Sequence, residues 1–273
     1  MIQLIVSDMD GTLLDPEKHL PDHFSALLEE LYCRDITFAV ASGRSRAALL
    51  DLFGTMAEDM IFICDNGACV MLPHRAPILN RLSSRPIEQV LNLCQTLPGT
   101  TPVLCGFHHI YVPDTASESV RQEISRFYAD FQILSYDKLY QVDEPILKIA
   151  LCDQQTLEQK TYPAVQTLLG EEYEQLISGD CWMDIMEKGI TKGMAVTLLQ
   201  ERLGITPAET MVFGDYDNDI SMLSCAAYSY AMANASERVR EQARFQAPSN
   251  AENGVMQVIC EKLGIHFRNS IDA

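Results

Sequence analysis

The chain has 273 residues, enough to bury a core of ordinary size and to divide into two domains. Its 47% hydrophobic and 21% charged residues make it globular rather than disordered or fibrous. A formal net charge of −18, from 38 acidic and 20 basic residues, argues against a nucleic-acid or anionic-membrane surface, since both need an excess of Lys and Arg. Nine cysteines are scattered without C-x-x-C or zinc-type Cys/His spacing and read as reduced thiols. No apolar run approaches membrane-spanning length, and Asp8 comes too early for a leader segment. The expectation is a soluble, cytoplasmic protein.

In chain order, Ile2–Ser7 is an apolar run stopped by Asp-Gly-Thr, as a buried parallel strand would be. Pro21 and Asp22 open a helix with Phe24, Leu27, Leu28 and Leu31 at helical spacing. "ITFAVASGR" is the next strand, ending at Ser42-Gly43; a helix follows through Leu49, Leu50 and Phe53, then the strand "DMIFICDNGA". After position 188 the rhythm resumes. Helix Met194–Leu203 leads to strand "ETMVFGD", helix "DNDISMLSCA", strand "YSYAMA", helix "SERVREQA", a short strand near Phe245 and a last helix through Val255, Val258 and Ile259. Strand-helix alternation of this kind predicts an α/β fold, a Rossmann-like doubly wound parallel sheet. The middle differs: strands "TPVLCGFHHIYV", "PILKIALC" and "CWMDIME", with helices near Ile87–Leu97, Ser119–Phe131 and Thr156–Leu169. The expected organisation is therefore a core of residues 1–82 and 189–273 with an inserted α+β domain at 83–188.

Ligands of a parallel sheet bind beyond the carboxyl ends of its strands. The expected strands end there in Asp8 and Asp10, Ser42, Asn66, and Asp215 with Asn218 and Asp219, while Lys192 stands at a helix start that favours an anion. Side chains two apart on a strand share a face, so Asp8 and Asp10 are expected together. Adjacent carboxylates repel unless a cation or a proton separates them, and hard oxygen ligands with few or no nitrogens or thiols suit Mg²⁺ better than zinc. Plainer readings exist for each: an Asp-Gly surface turn, a Ser42 helix cap, a solvated Lys192, an Asp219 that supports a helix, and structural Asn66 and Arg44. His108-His109 fits an edge strand rather than a metal pair, and Trp182 with Asp184 shares one strand face, with packing the simpler role. Neither a dinucleotide fingerprint nor a P-loop motif occurs.

"DMDGT", "ASGR", "GITKG" and "GDYDND", in this order, resemble the four motifs of haloacid-dehalogenase-like phosphatases. "DNGA", the long insertion between Asn66 and Lys192, "NDISML" and "AMANASERVREQA" resemble the Cof-type subgroup with a type IIB cap. The resemblance implies Asp8 as nucleophile forming an aspartyl-phosphate and Asp10 as general acid and base. It implies Mg²⁺ held by Asp8, the Asp10 backbone carbonyl and Asp215 with Asp219 in support. Ser42 and Lys192 would hold the phosphoryl oxygens, assisted by Asn218, with Met9, Gly43, Arg44 and Asn66 also at the substrate. Tyr216, Asp217, Ala233 and Asn253 depart from the commonest family residues at the motif edges. The implied activity is hydrolysis of a small phosphorylated metabolite, such as a sugar phosphate, pyridoxal phosphate or flavin mononucleotide, with no nucleic-acid or membrane partner. A sugar-phosphate mutase and a phosphometabolite sensor with little turnover are the rival readings; protein partners stay open.

Overall fold

The computed structural model describes residues 1–128 and 130–267. The chain first forms β1 (Leu4–Asp8), α1 (Phe24–Cys33), β2 (Thr37–Ala41), α2 (Arg46–Phe53) and β3 (Ile61–Cys64). It continues through β4 (Cys69–Met71), β5 (Ile78–Leu79), α3 (Ser84–Cys94), β6 (Thr101–Gly106), β7 (Ile110–Pro113), α4 (Glu118–Ser125), β8 (Gln132–Leu134) and α5 (Tyr136–Leu139). Then come β9 (Ile146–Cys152), α6 (Tyr162–Leu169), β10 (Tyr173–Gly179) and β11 (Trp182–Glu187). The last part is α7 (Lys192–Leu203), β12 (Thr210–Gly214), α8 (Ile220–Leu223), β13 (Tyr228–Met232), α9 (Glu237–Gln242), β14 (Phe245–Ala247) and α10 (Gly254–Leu263). No helix among the described residues is long and apolar enough to cross a membrane.

Contacts sort the chain into two units. The first takes residues 1–42, 58–63 and 191 onward; the second takes 43–57 and 64–190. In the first, parallel strands lie in the order β14-β13-β12-β1-β2-β3. Central β1 is buried along its whole length, which is why its sequence is a continuous apolar run rather than an alternating one. Each fully buried aliphatic side chain there, such as Leu4, Ile5 or Val6, contributes about 1.5–3 kcal/mol. The chain steps outward from β1 to β3, returns to β12 on the other side, and steps outward again. Stepping outward in both directions makes the sheet doubly wound, and the order reverses between β1 and β12.

The second unit holds the β4–β5 antiparallel pair and a mixed sheet in the order β10-β11-β9-β6-β7-β8. Its strands alternate between two apolar clusters. Leu104, Ile149, Leu151, Met183 and Ile185 face one; Val103, Cys105, Ala150, Cys152 and Trp182 face the other.

Several local expectations change. "TPVLCGFHHIYV" is two strands, not one, and His108 and His109 sit in the turn rather than on an edge strand. Glu144 dictates the break: it accepts the His108 N–H at 2.6 Å and the His109 N–H at 3.2 Å. Gly106 gives that carboxylate room, since a Cβ there would lie 2.5 Å from the Glu144 carboxyl carbon. The expected helix over "DNDISMLSCA" is a single tight turn, Asp217–Asp219, followed by the four residues of α8. The helix expected near Ser119–Phe131 ends at Ser125; position 129 within that stretch, and positions 268–273 of the expected core, lie outside the described residues.

Candidate functional site

β1 ends at Asp8, and the chain leaves the sheet at once through the wide turn Met9–Leu13. Gly11 sits there at φ 85°, in the left-handed region, and a Cβ on it would run into the Asp215 carboxylate. Because the strand stops at Asp8, strand periodicity no longer pairs Asp8 with Asp10. Asp8 is buried, whereas Asp10 is partly exposed and receives the Lys18 ammonium at 2.9 Å. Met9 turns its side chain fully into the core.

Lys192 is the first residue of α7, whose cap is the Thr191 hydroxyl accepting the Met194 N–H at 3.1 Å. The Lys192 ammonium is buried and donates to Asp8 Oδ1 at 2.5 Å and to Asp219 Oδ1 at 2.7 Å. Asp219 uses its other oxygen to accept the N–H groups of Asp215 at 2.9 Å and Tyr216 at 3.0 Å. This carboxylate therefore folds the loop after β12 around itself. Gly214 permits it, since a Cβ there would lie 2.5 Å from the Asp219 Cβ. Asp215 is oriented in turn by the Thr12 hydroxyl, which donates to its Oδ1 at 2.7 Å. Ser42, at the end of β2, is buried and donates its N–H to the Ile63 carbonyl at 2.8 Å. Asn218 is half-buried in the 217–219 turn, and Tyr216 is 47% exposed, so it does not crowd the interior.

The electrostatics follow from one ammonium among three carboxylates. Burial, and then the Asp219 charge, hold the Asp8 carboxyl well above the usual range despite Lys192. The same two causes push Asp215 up to about 6. Burial acts to lower Lys192, but Asp219 and Asp8 overcome it and keep the ammonium charged. Carboxylate oxygens of Asp8, Asp215 and Asp219 lie within 4.8 Å of one another. Such a set, all hard oxygens with surplus negative charge, fits a divalent cation of the Mg²⁺ type.

Three expected site residues belong to the second unit: Gly43, Arg44 and Asn66. The Asn66 amide donates to Asp184 Oδ2 at 3.1 Å within a buried polar network centred on Lys148. The sequence reading missed Thr12, Lys18 and Lys148. Thr12 lay inside the quoted "DMDGT", but nothing there assigned its hydroxyl. Lys148 had a readable signal, a lone charge inside the apolar "PILKIALC", which must find a partner if buried.

A family model for haloacid dehalogenase-like hydrolases matches residues 5–259. The chain belongs to that family. The hydrolase is 28% identical over 259 residues to the 5-amino-6-(5-phospho-D-ribitylamino)uracil phosphatase YbjI of Escherichia coli K12, covering 94% of this chain and 95% of that protein. Among solved structures, SMU.1108c from Streptococcus mutans UA159 superposes with a TM-score of 0.89 at 30% identity, covering 97% of this chain and all of the other. The subclass IIB sugar phosphatase BT4131 shares the fold, with a TM-score of 0.81 at 22% identity over 97% of this chain and 100% of that one. The expected fold and superfamily are those of these relatives.

Proposed function

We propose that this hydrolase is a Mg²⁺-dependent phosphatase that cleaves small phosphate monoesters through an aspartyl-phosphate on Asp8. The observation that carries this reading is the buried Asp8 at the end of β1, tethered to Lys192 and clustered with Asp215 and Asp219 at the point where the strand order reverses. An Asp8 oxygen attacks phosphorus and the bond to the ester oxygen breaks, while Asp10 gives that oxygen its proton. Asp10 then takes a proton from water, whose oxygen attacks the same phosphorus; the bond to Asp8 breaks and inorganic phosphate leaves. Partial exposure of Asp10 suits a group that must meet both the leaving group and water. Lys192 and Ser42 hold phosphoryl oxygens, and Asn218 assists. Asp8, the Asp10 carbonyl and Asp215 would hold Mg²⁺, with Asp219 in support through its bonds to the loop backbone. When bound, the ion neutralises charge on the phosphoryl group and its nucleophile.

Residues 83–188 serve as the cap that selects the leaving group, a role supported by the fold shared with a subclass IIB sugar phosphatase. The name of the E. coli relative supports a phosphorylated metabolite or cofactor precursor as the substrate class. The reduced thiols fit work in the cytoplasm. Phosphate release from a panel of sugar phosphates and phosphorylated cofactors, with and without Mg²⁺, tests the reading. Metal-dependent release that disappears in Asp8→Asn is expected. Isomerised sugar phosphate in place of free phosphate, or binding with no turnover, overturns it.

A further inference from the structure

Lys148 is a single charge in the middle of β9, buried to 3% exposure. An apolar residue would complete that strand at lower desolvation cost, so its contacts should explain the ammonium. It donates to the Gly43 carbonyl at 2.9 Å and to Asp184 Oδ2 at 3.1 Å, while Asp65 Oδ1 stands further off at 3.6 Å. Asp184 Oδ2 also accepts the Asn66 amide at 3.1 Å, and that amide lies against Gly43, where a Cβ would come within 3.3 Å of it. The Asp65 N–H donates to the Arg44 carbonyl at 3.0 Å. Asp65 and Asn66 hold these positions with φ of 49° and 55°, a left-handed pair that non-glycine residues adopt at a cost. Gly43 and Arg44 are thus gripped on consecutive carbonyls, and the carbonyl that Lys148 reaches belongs to the residue next after Ser42.

We infer that Lys148 is a positioning residue for the reaction: by fixing the Gly43 carbonyl it sets the turn that aims the Ser42 hydroxyl. This rests on the reading of Ser42 as a holder of phosphoryl oxygens. Asp184 and Asn66 are the means by which Lys148 itself is held, so the loop that contributes Ser42 takes its shape from strands far along the chain.

The test is a double-mutant cycle of Lys148→Met and Ser42→Ala, read as p-nitrophenyl phosphate hydrolysis with Mg²⁺ and as inhibition by inorganic phosphate. In the native background Lys148→Met should lower kcat/KM on the order of tenfold and weaken phosphate inhibition by a similar factor. In the Ser42→Ala background the same change should cost no more than about twofold. Equal losses in both backgrounds would overturn the inference, because a purely structural lysine acts regardless of Ser42. If Lys148→Met fails to fold with Asp184 unpaired, Lys148→Met/Asp184→Asn removes both charges and goes through the same cycle. A native protein that hydrolyses the ester but is indifferent to Ser42→Ala overturns the role of Ser42, and this inference with it. A native protein with no hydrolysis overturns the phosphatase reading instead.

Discussion

Two buried ammonium groups invite comparison. Lys192, in the first unit, makes two short bonds to carboxylates, and a third carboxylate, Asp215, lies within reach of both. Lys148, in the second, bonds one carboxylate and one neutral carbonyl and pairs more distantly with a second carboxylate, Asp65, at 3.6 Å, while Asn66 also donates to Asp184. The first cluster carries surplus negative charge that a cation or a proton would relieve; the second has fewer carboxylates for its ammonium and neutral partners besides, though Asp65 Oδ1 is left without a hydrogen bond. Similar ingredients therefore suit the proposed seat for a cation in one case and the proposed brace for a loop in the other. What separates them is the count of carboxylates per ammonium and the presence of neutral partners.

Removing the proposed nucleophile carries the largest expected effect. Asp8→Asn should lower turnover on the order of 10⁴-fold or more while far-ultraviolet circular dichroism stays native; retention of activity would break the assignment. Next come the two lysines. Lys192→Met strands Asp8 and Asp219 without their cation and should cost about 3–5 kcal/mol in urea unfolding without metal. Lys148→Met should fall at the low end, about 3 kcal/mol, because Asn66 still donates to Asp184. A larger loss at Lys148 would reverse the contrast between seat and brace.

Smaller in effect is Thr12→Val, which removes the hydroxyl that orients Asp215. The Mg²⁺ concentration for half-maximal activity should rise roughly tenfold, with little change in melting temperature. The gentlest probe is pH. Burial raises Asp215 to about 6 and Asp65 to about 7, so in this range the folded state binds more protons than the unfolded chain. Stability of the metal-free protein should therefore be fuller near pH 4 and decline as pH rises to 7, by a few degrees in melting temperature, roughly. Asp65→Asn should remove the upper part of that decline, and Mg²⁺ should flatten the share belonging to Asp215.

The parallel sheet was legible because β1, β2 and β12 are short apolar runs that end in polar residues, a pattern that follows directly from burial on both faces. The clustering of Asp8, Lys192, Asp215 and Asp219 was foreshadowed for the same reason, since each stands at or just beyond a strand or helix terminus, although position alone left a cap, a solvated charge or a turn as open readings. The neighbours of Asp10 were not. Its orientation depends on the exact residue at which β1 stops, and Gly11 releases the chain earlier than simple alternation suggests. The break at Phe107–His109 was hidden because its cause, Glu144, lies 36 residues from His108. Lys148 was hidden likewise, since the Gly43 carbonyl it serves is 105 residues away. Long-range polar pairs leave no periodicity behind, only an unexplained charge in an apolar run.

The sorting of residues 43–57 with the later strands has a practical side for anyone exchanging specificity between relatives. A chimera cut at 82/83 and 188/189 would take β9 and β11 from one parent and the Gly43 turn from the other. The donor lysine would then meet a foreign carbonyl. Grafts that carry positions 43–66 together with the insertion keep Lys148, Asp184 and Asn66 beside the backbone they evolved with, and these are the recombinants to build first.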